Sequence, residues 1–125
     1  MASLGEDSGY VPYTAFSAKK SYIEAHPEVI QAFTNALQKG MDYVAAHTPE
    51  EIAAVIKPQF EETADATLTT IVKRYYDQDS WKQDLIFSED SFTLLQNILE
   101  EAGELAQRVP YEELVNTSFA QKAAE

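Results

Sequence analysis

The residues able to do chemistry in this chain are few and widely spaced. His26 and His47 are its only histidines, 21 positions apart, and neither stands in an HxxH or HExxH arrangement that would put two imidazoles on one helix face around a metal ion. His26 precedes a proline and reads as a loop residue. His47 falls in the last turn of a helix, where a cation is favoured by the negative end of the dipole. Carboxylates gather at Glu61-Glu62-Asp65, Glu89-Asp90, Glu100-Glu101-Glu104 and Glu112-Glu113, without the alternating loop spacing that arranges oxygens around calcium. Several fall in first helical turns, where they complement the dipole, and they read as solvated faces. No serine lies in a nucleophile-elbow sequence, and no acid–base pair is clustered, so the expectation is no catalytic residue, no enzyme, no metal and no cofactor. Trp81, between Ser80 and Lys82, is the one residue that reads either as a ligand platform or as the anchor of a polar connection, and the anchor reading is preferred.

Composition narrows the partners. The 125 residues fit one domain, and the 45 % hydrophobic and 11 % aromatic content is that of a globular chain. Nine basic against 21 acidic residues give a net charge of −12, which repels nucleic acid and anionic lipid, and the pairs Lys19-Lys20 and Lys73-Arg74 are too small to reverse it locally. No nucleic-acid partner is expected. Without cysteine there is neither a disulfide framework nor a thiolate zinc site. No apolar run approaches the length of about 18 residues needed to cross a bilayer, and no export signal is read at the N-terminus.

The elements that must position any site are mostly helical. Residues 1–10 are turn-rich, with Gly5, Asp7, Ser8 and Gly9. Val11 to Ser17 alternate as a strand does, with Pro12 suited to its start or an edge. A short helical turn over 19–25 is followed by a helix started by Pro27, whose stripe is Val29, Ile30, Phe33, Leu37, Met41 and Val44. Thr48-Pro49-Glu50-Glu51 is a capping box opening a helix with Ile52, Val55 and Ile56 that Pro58 stops. A helix from near Thr63 is expected to bury Leu68, Ile71, Val72 and Tyr75. Residues 77–87 form a polar connection. Ser88 caps a helix with Phe92, Leu95, Ile98, Leu99, Ala102 and Leu105 on one face, which Gly103 weakens or ends. Pro110 starts a last helical stretch with Tyr111, Leu114, Val115 and Phe119. The reading is mainly α with one or few β-strands, and the strand has no partner in its own chain.

The ordered series from "SGYVPYTAFSAKKSYIEAHPEVIQAFTNALQKGMDYV" through the T/S-x-E-E helix start to "RYYDQDSWKQD", "EAGEL" and "VPYEELVNTSFAQKA" resembles the C-terminal half of ABC-importer substrate-binding proteins. The group is the nitrate/sulfonate/taurine type, whose relatives bind pyrimidine precursors of thiamine. The resemblance implies that residues 1–125 are a single domain or fragment, the C-terminal part of an α/β type II periplasmic-binding-protein fold. In that two-lobed fold the returning strand joins a sheet built by earlier residues. It implies a periplasmic or extracellular membrane-associated setting, a small-molecule solute bound by the full-length parent, and an ABC permease as partner. It places Tyr10 and Tyr13 at a turn facing the cleft, where their rings would stack a flat or small anionic ligand and Gly9 would let backbone N–H groups approach it. Without that role Tyr13 packs in the core and Tyr10 sits on a loop. The alternative is a helical interaction module that forms a homodimer through the strand Val11–Ser17, or adds that strand to a partner's sheet.

Overall fold

The structure is a computed structural model that describes residues 8–12, 14–82 and 84–125. Its elements are α1 (Lys20–Ala25), α2 (Pro27–Ala46), α3 (Pro49–Ile56), a 3₁₀ turn (Lys57–Gln59), α4 (Asp65–Asp77), α5 (Glu89–Glu101), α6 (Tyr111–Leu114) and α7 (Ser118–Ala123). The mainly helical expectation stands. The strand does not: among the described residues no β-ladder forms, and those between Val11 and Ser17 run as irregular chain. A strand is held by its neighbour's N–H and C=O groups, and here the Val11 N–H turns back to the Gly9 carbonyl at 2.8 Å while Pro12 has no donor to give. Among the described residues there is no sheet of the kind the type II arrangement has.

α2 is the spine, 20 residues or about 30 Å long. Pro27 occupies its first turn, where a missing N–H costs no hydrogen bond. Against its C-terminal end pack α3 and α4, whose residues Ile52, Ala53, Leu68 and Val72 meet in a buried cluster. Tyr43 and Val44 of α2, Ile56 of α3, and Trp81 close around that cluster. Against α2 elsewhere lies α7, held through buried Ala120 and a hydrogen bond from Gln31 Nε2 to the Phe119 carbonyl at 3.0 Å. A smaller aromatic group forms around buried Phe92, with the rings of Phe87 and Tyr111 each set edge-on to it at 5.9 and 5.8 Å.

The helix ends follow local chemistry closely. The Thr48 hydroxyl accepts from the Glu51 N–H at 3.3 Å, and the Glu51 carboxylate accepts from the Thr48 N–H at 2.9 Å, completing the capping box. The Ser88 hydroxyl accepts from the Ser91 N–H at 3.2 Å at the start of α5. Gly103, at φ +73, ends α5 with the paired bonds of a Schellman motif, Glu104 N–H to Leu99 O and Gly103 N–H to Glu100 O.

Two further expectations need correction. The stretch after Pro110 is two short helices, because Asn116 Oδ1 accepts from the Ser118 N–H and hydroxyl and sets up a turn between them. Of the stripes, Ile71 and Tyr75 on α4 and Val29 and Phe33 on α2 lie exposed, as do Val55, Ile98 and Leu114. The apolar period shows which face is hydrophobic and does not say what lies opposite it. Gln96 is buried although polar: its amide pairs with the Val109 backbone as a strand neighbour would, accepting from the N–H at 2.8 Å and donating to the carbonyl at 3.2 Å.

Replacing Thr48 by Ala removes one half of the capping box and is expected to lower stability by about 1 kcal/mol. The Glu51 carboxyl is held below the ordinary glutamate range, chiefly by accepting from the Thr48 N–H and next by its bond with the Thr48 hydroxyl. A depressed folded value means that the carboxylate's contribution is complete above the unfolded value of about 4.3 and is lost as pH falls through the folded one. Urea unfolding of wild type and Glu51→Gln at neutral and acid pH checks this: the gap between them is widest at neutral pH and closes in acid.

Candidate functional site

A groove of about 180 Å³ opens between the C-terminal half of α2 and the connection that follows α4, lined by Met41, Val44, Ala45, Tyr76, Asp79, Trp81 and Lys82. Met41, Val44 and Ala45 reach it because they follow one another around α2 at helical spacing. Trp81 forms its floor. That indole packs on the Ile52–Leu68–Val72 core and lies nearly parallel to the Tyr75 ring, with centroids 5.9 Å apart. The anchor reading of Trp81 is correct, and the same side chain also presents a surface to the groove.

The rim is made by a tight turn. Asp79 takes a left-handed conformation, φ 51, unusual for a residue other than glycine and best tolerated by Asp and Asn. It closes α4 with a second Schellman pair, Ser80 N–H to Tyr75 O at 3.0 Å and Asp79 N–H to Tyr76 O at 3.1 Å. The turn leaves the Asp79 carboxylate free to accept from the Tyr10 hydroxyl at 2.7 Å, across 69 residues of sequence. Lys82 sets its ammonium 3.1 Å from the centre of the Tyr10 ring, well within the range of about 6 Å in which a cation is attracted to an aromatic face. Tyr10 is thus held at its hydroxyl by a carboxylate and at its ring by an ammonium.

Gly9 precedes it at φ +74, a backbone conformation that suits glycine, and a Cβ there would stand 3.7 Å from Leu94 Cδ2 of α5. Residues 8–12 therefore run past α5 to reach the groove. Of the three ligand-binding candidates, Tyr10 touches two residues that line the groove, Asp79 and Lys82, Gly9 lies against Leu94 of α5, and Tyr13 lies outside the described residues. Sequence reasoning missed Met41, Tyr76, Asp79 and Lys82. They come from separate stretches, and only the aromatic and charged content of "RYYDQDSWK" marks one of those stretches.

The histidines stand elsewhere. His47 stacks flat on Tyr43, with centroids 3.7 Å apart and planes at 12°, and its Nδ1 lies 2.7 Å from the Tyr43 carbonyl. His26 lies beside Tyr22, with Nδ1 3.8 Å from the Glu28 carboxylate. Among the described residues no three His, Cys, Asp or Glu side chains come together to hold a metal ion, and no helix is long and apolar enough to cross a membrane. The Glu100 carboxyl is drawn below its usual range by accepting from Arg108, whose guanidinium is also 2.6 Å from Asn97 Oδ1. This pairing pins the residues after α5 and touches no groove residue.

The Tyr10 phenol is raised above the ordinary tyrosine range, first by its hydrogen bond to Asp79, then by that group's negative charge, and least by burial. A raised folded value means the tether is complete at neutral pH and is lost as pH rises through that value. In ultraviolet titration, the difference between wild type and Tyr10→Phe is expected to show a phenol with a midpoint above about 10. Asp79→Asn, which keeps the left-handed turn, moves that midpoint down. An unchanged midpoint in Asp79→Asn would count against the tether.

No protein-family model matches this chain, and no solved structure matches it. Over 122 residues, 98 % of its length, the chain is 38 % identical to a protein of Bacillus subtilis (strain 168) named "Putative binding protein YtlA". The match covers 36 % of that protein, so the chain spans about a third of the length of this curated relative.

Proposed function

We propose that this chain is the C-terminal portion of a solute-binding protein that serves an ABC importer. The observation that carries the reading is the likeness, across 98 % of the chain, to a much longer protein named as a binding protein. The ordered resemblance to the nitrate/sulfonate/taurine group, which includes binders of pyrimidine precursors, points the same way. In this reading the parent closes two lobes on a small solute and presents the closed form to an ABC permease, in a periplasmic or extracellular setting. The chain binds and does not catalyse. The part of the work assigned to these residues is the groove of Tyr10, Asp79, Trp81 and Lys82, which supplies an aromatic floor with one charge of each sign at its rim.

The exposed surface supports a role as part of something larger. Exposed Phe16, Val29, Phe33, Val55 and Ile71 are the kind of side chain that a larger body buries. The alternative, an interaction module pairing through residues 11–17 with a second copy, draws on the same exposure. A net charge of −12 on each copy sets the two against each other, and the solute reading is preferred.

Thermal unfolding of the chain in taurine, nitrate, alkylsulfonates and methylpyrimidines tests the proposal. A ligand bound at 100 times its Kd adds about 2.7 kcal/mol, so one member of the series is expected to raise Tm by several degrees. An unchanged Tm across the whole series would remove these solutes from this part of the protein.

A further inference from the structure

Within the solute-binding reading, on which this inference rests, we propose that the groove over Trp81 takes a small organic cation, an alkylammonium, in the place the Lys82 ammonium now occupies on the face of Tyr10. Lys82 is the first observation. Its Nζ lies 3.1 Å from the Tyr10 ring centre, and among the described residues it has no carboxylate within ion-pair distance. An aromatic face attracts a cation through its quadrupole, and the face that carries the Lys82 ammonium suits another ammonium in its place.

The surroundings select the same charge. The Asp79 carboxylate accepts from the Tyr10 hydroxyl at 2.7 Å, so it sits at the edge of the very ring that carries the cation and adds negative potential there. Met41, Tyr76 and Trp81 give the groove polarizable and aromatic walls that suit an alkyl stem. A net charge of −12 concentrates cations near the surface and depletes anions. An anion would meet one lysine, but with Asp79 at the same rim and the Lys82 ammonium turned onto Tyr10.

Lys82 is then an internal competitor, and its removal separates the two ligand charges. Trp81 is the only tryptophan of the chain and lies in the groove, so its fluorescence reports binding directly. The probe is n-butylammonium, which copies the end of the lysine side chain, titrated at constant ionic strength into wild type, Lys82→Ala and Lys82→Ala with Tyr10→Leu. Lys82→Ala is expected to bind it about 2- to 30-fold more tightly than wild type, the range that one cation–aromatic contact spans. Adding Tyr10→Leu abolishes the gain. Lys82 is exposed, and Lys82→Gln serves as a second variant, with circular dichroism confirming that each folds.

Equal or weaker binding of n-butylammonium by Lys82→Ala and Lys82→Gln overturns the proposal. So does methanesulfonate binding to wild type that is lost in those variants, a result that leaves the solute-binding reading standing with the opposite ligand charge. Silence of Trp81 towards both probes, together with a flat thermal series, sinks the two readings together.

Discussion

α4 can stop where it does because Asp79 adopts a left-handed conformation, and that same turn aims its carboxylate at the phenol of Tyr10. Much of the site follows from this one bond. It brings a segment near the start of the chain to a connection 69 residues away, against two residues that line the groove, and offers the ring face to Lys82. Beneath it the Trp81 indole joins the site to the core, since the surface that lines the groove belongs to a side chain packed on Ile52, Leu68 and Val72. Site and core therefore share a wall, and a change in α3–α4 packing would be felt at the groove.

The second constraint is a shortage of interior. Among the described residues the buried apolar side chains are few, and many large apolar side chains stay exposed. Phe16 is the extreme case, 77 % exposed and touching Phe33 edge-on with ring centres 5.0 Å apart. Two aromatic rings that shelter only each other give little burial, and the hydrophobic effect rewards covering them further. Similarity to a relative of which the chain spans 36 % fits that picture without identifying the cover.

Local chemistry was legible in the residues. The capping box at Thr48, the serine cap at Ser88, the proline at the start of α2 and the glycine after α5 each act within one turn of their own position, so their consequences are written beside them. What depends on distant neighbours was not legible. The alternation from Val11 to Ser17 suits a strand, but a ladder needs a second strand, and the described chain has none. Ile71 and Phe33 hold apolar positions in perfect helical period and still face outward, because period assigns a face and says nothing of what lies opposite. The groove is the clearest case. The sequence marks Tyr10, but its partners Asp79 and Lys82 carry no signal linking them to it, since an aspartate in a left-handed turn looks in sequence like any other loop carboxylate.

The most direct measurement of the central claim, that Tyr10 is docked on the turn of Asp79 with Lys82 over its face, is the proton NMR spectrum of the Lys82 side chain. Protons held above an aromatic ring are shielded by its ring current. The account predicts ε-methylene resonances of Lys82 displaced upfield of an ordinary lysine, returning to the ordinary position in Tyr10→Leu. Ordinary shifts in wild type, unmoved by that substitution, would contradict it.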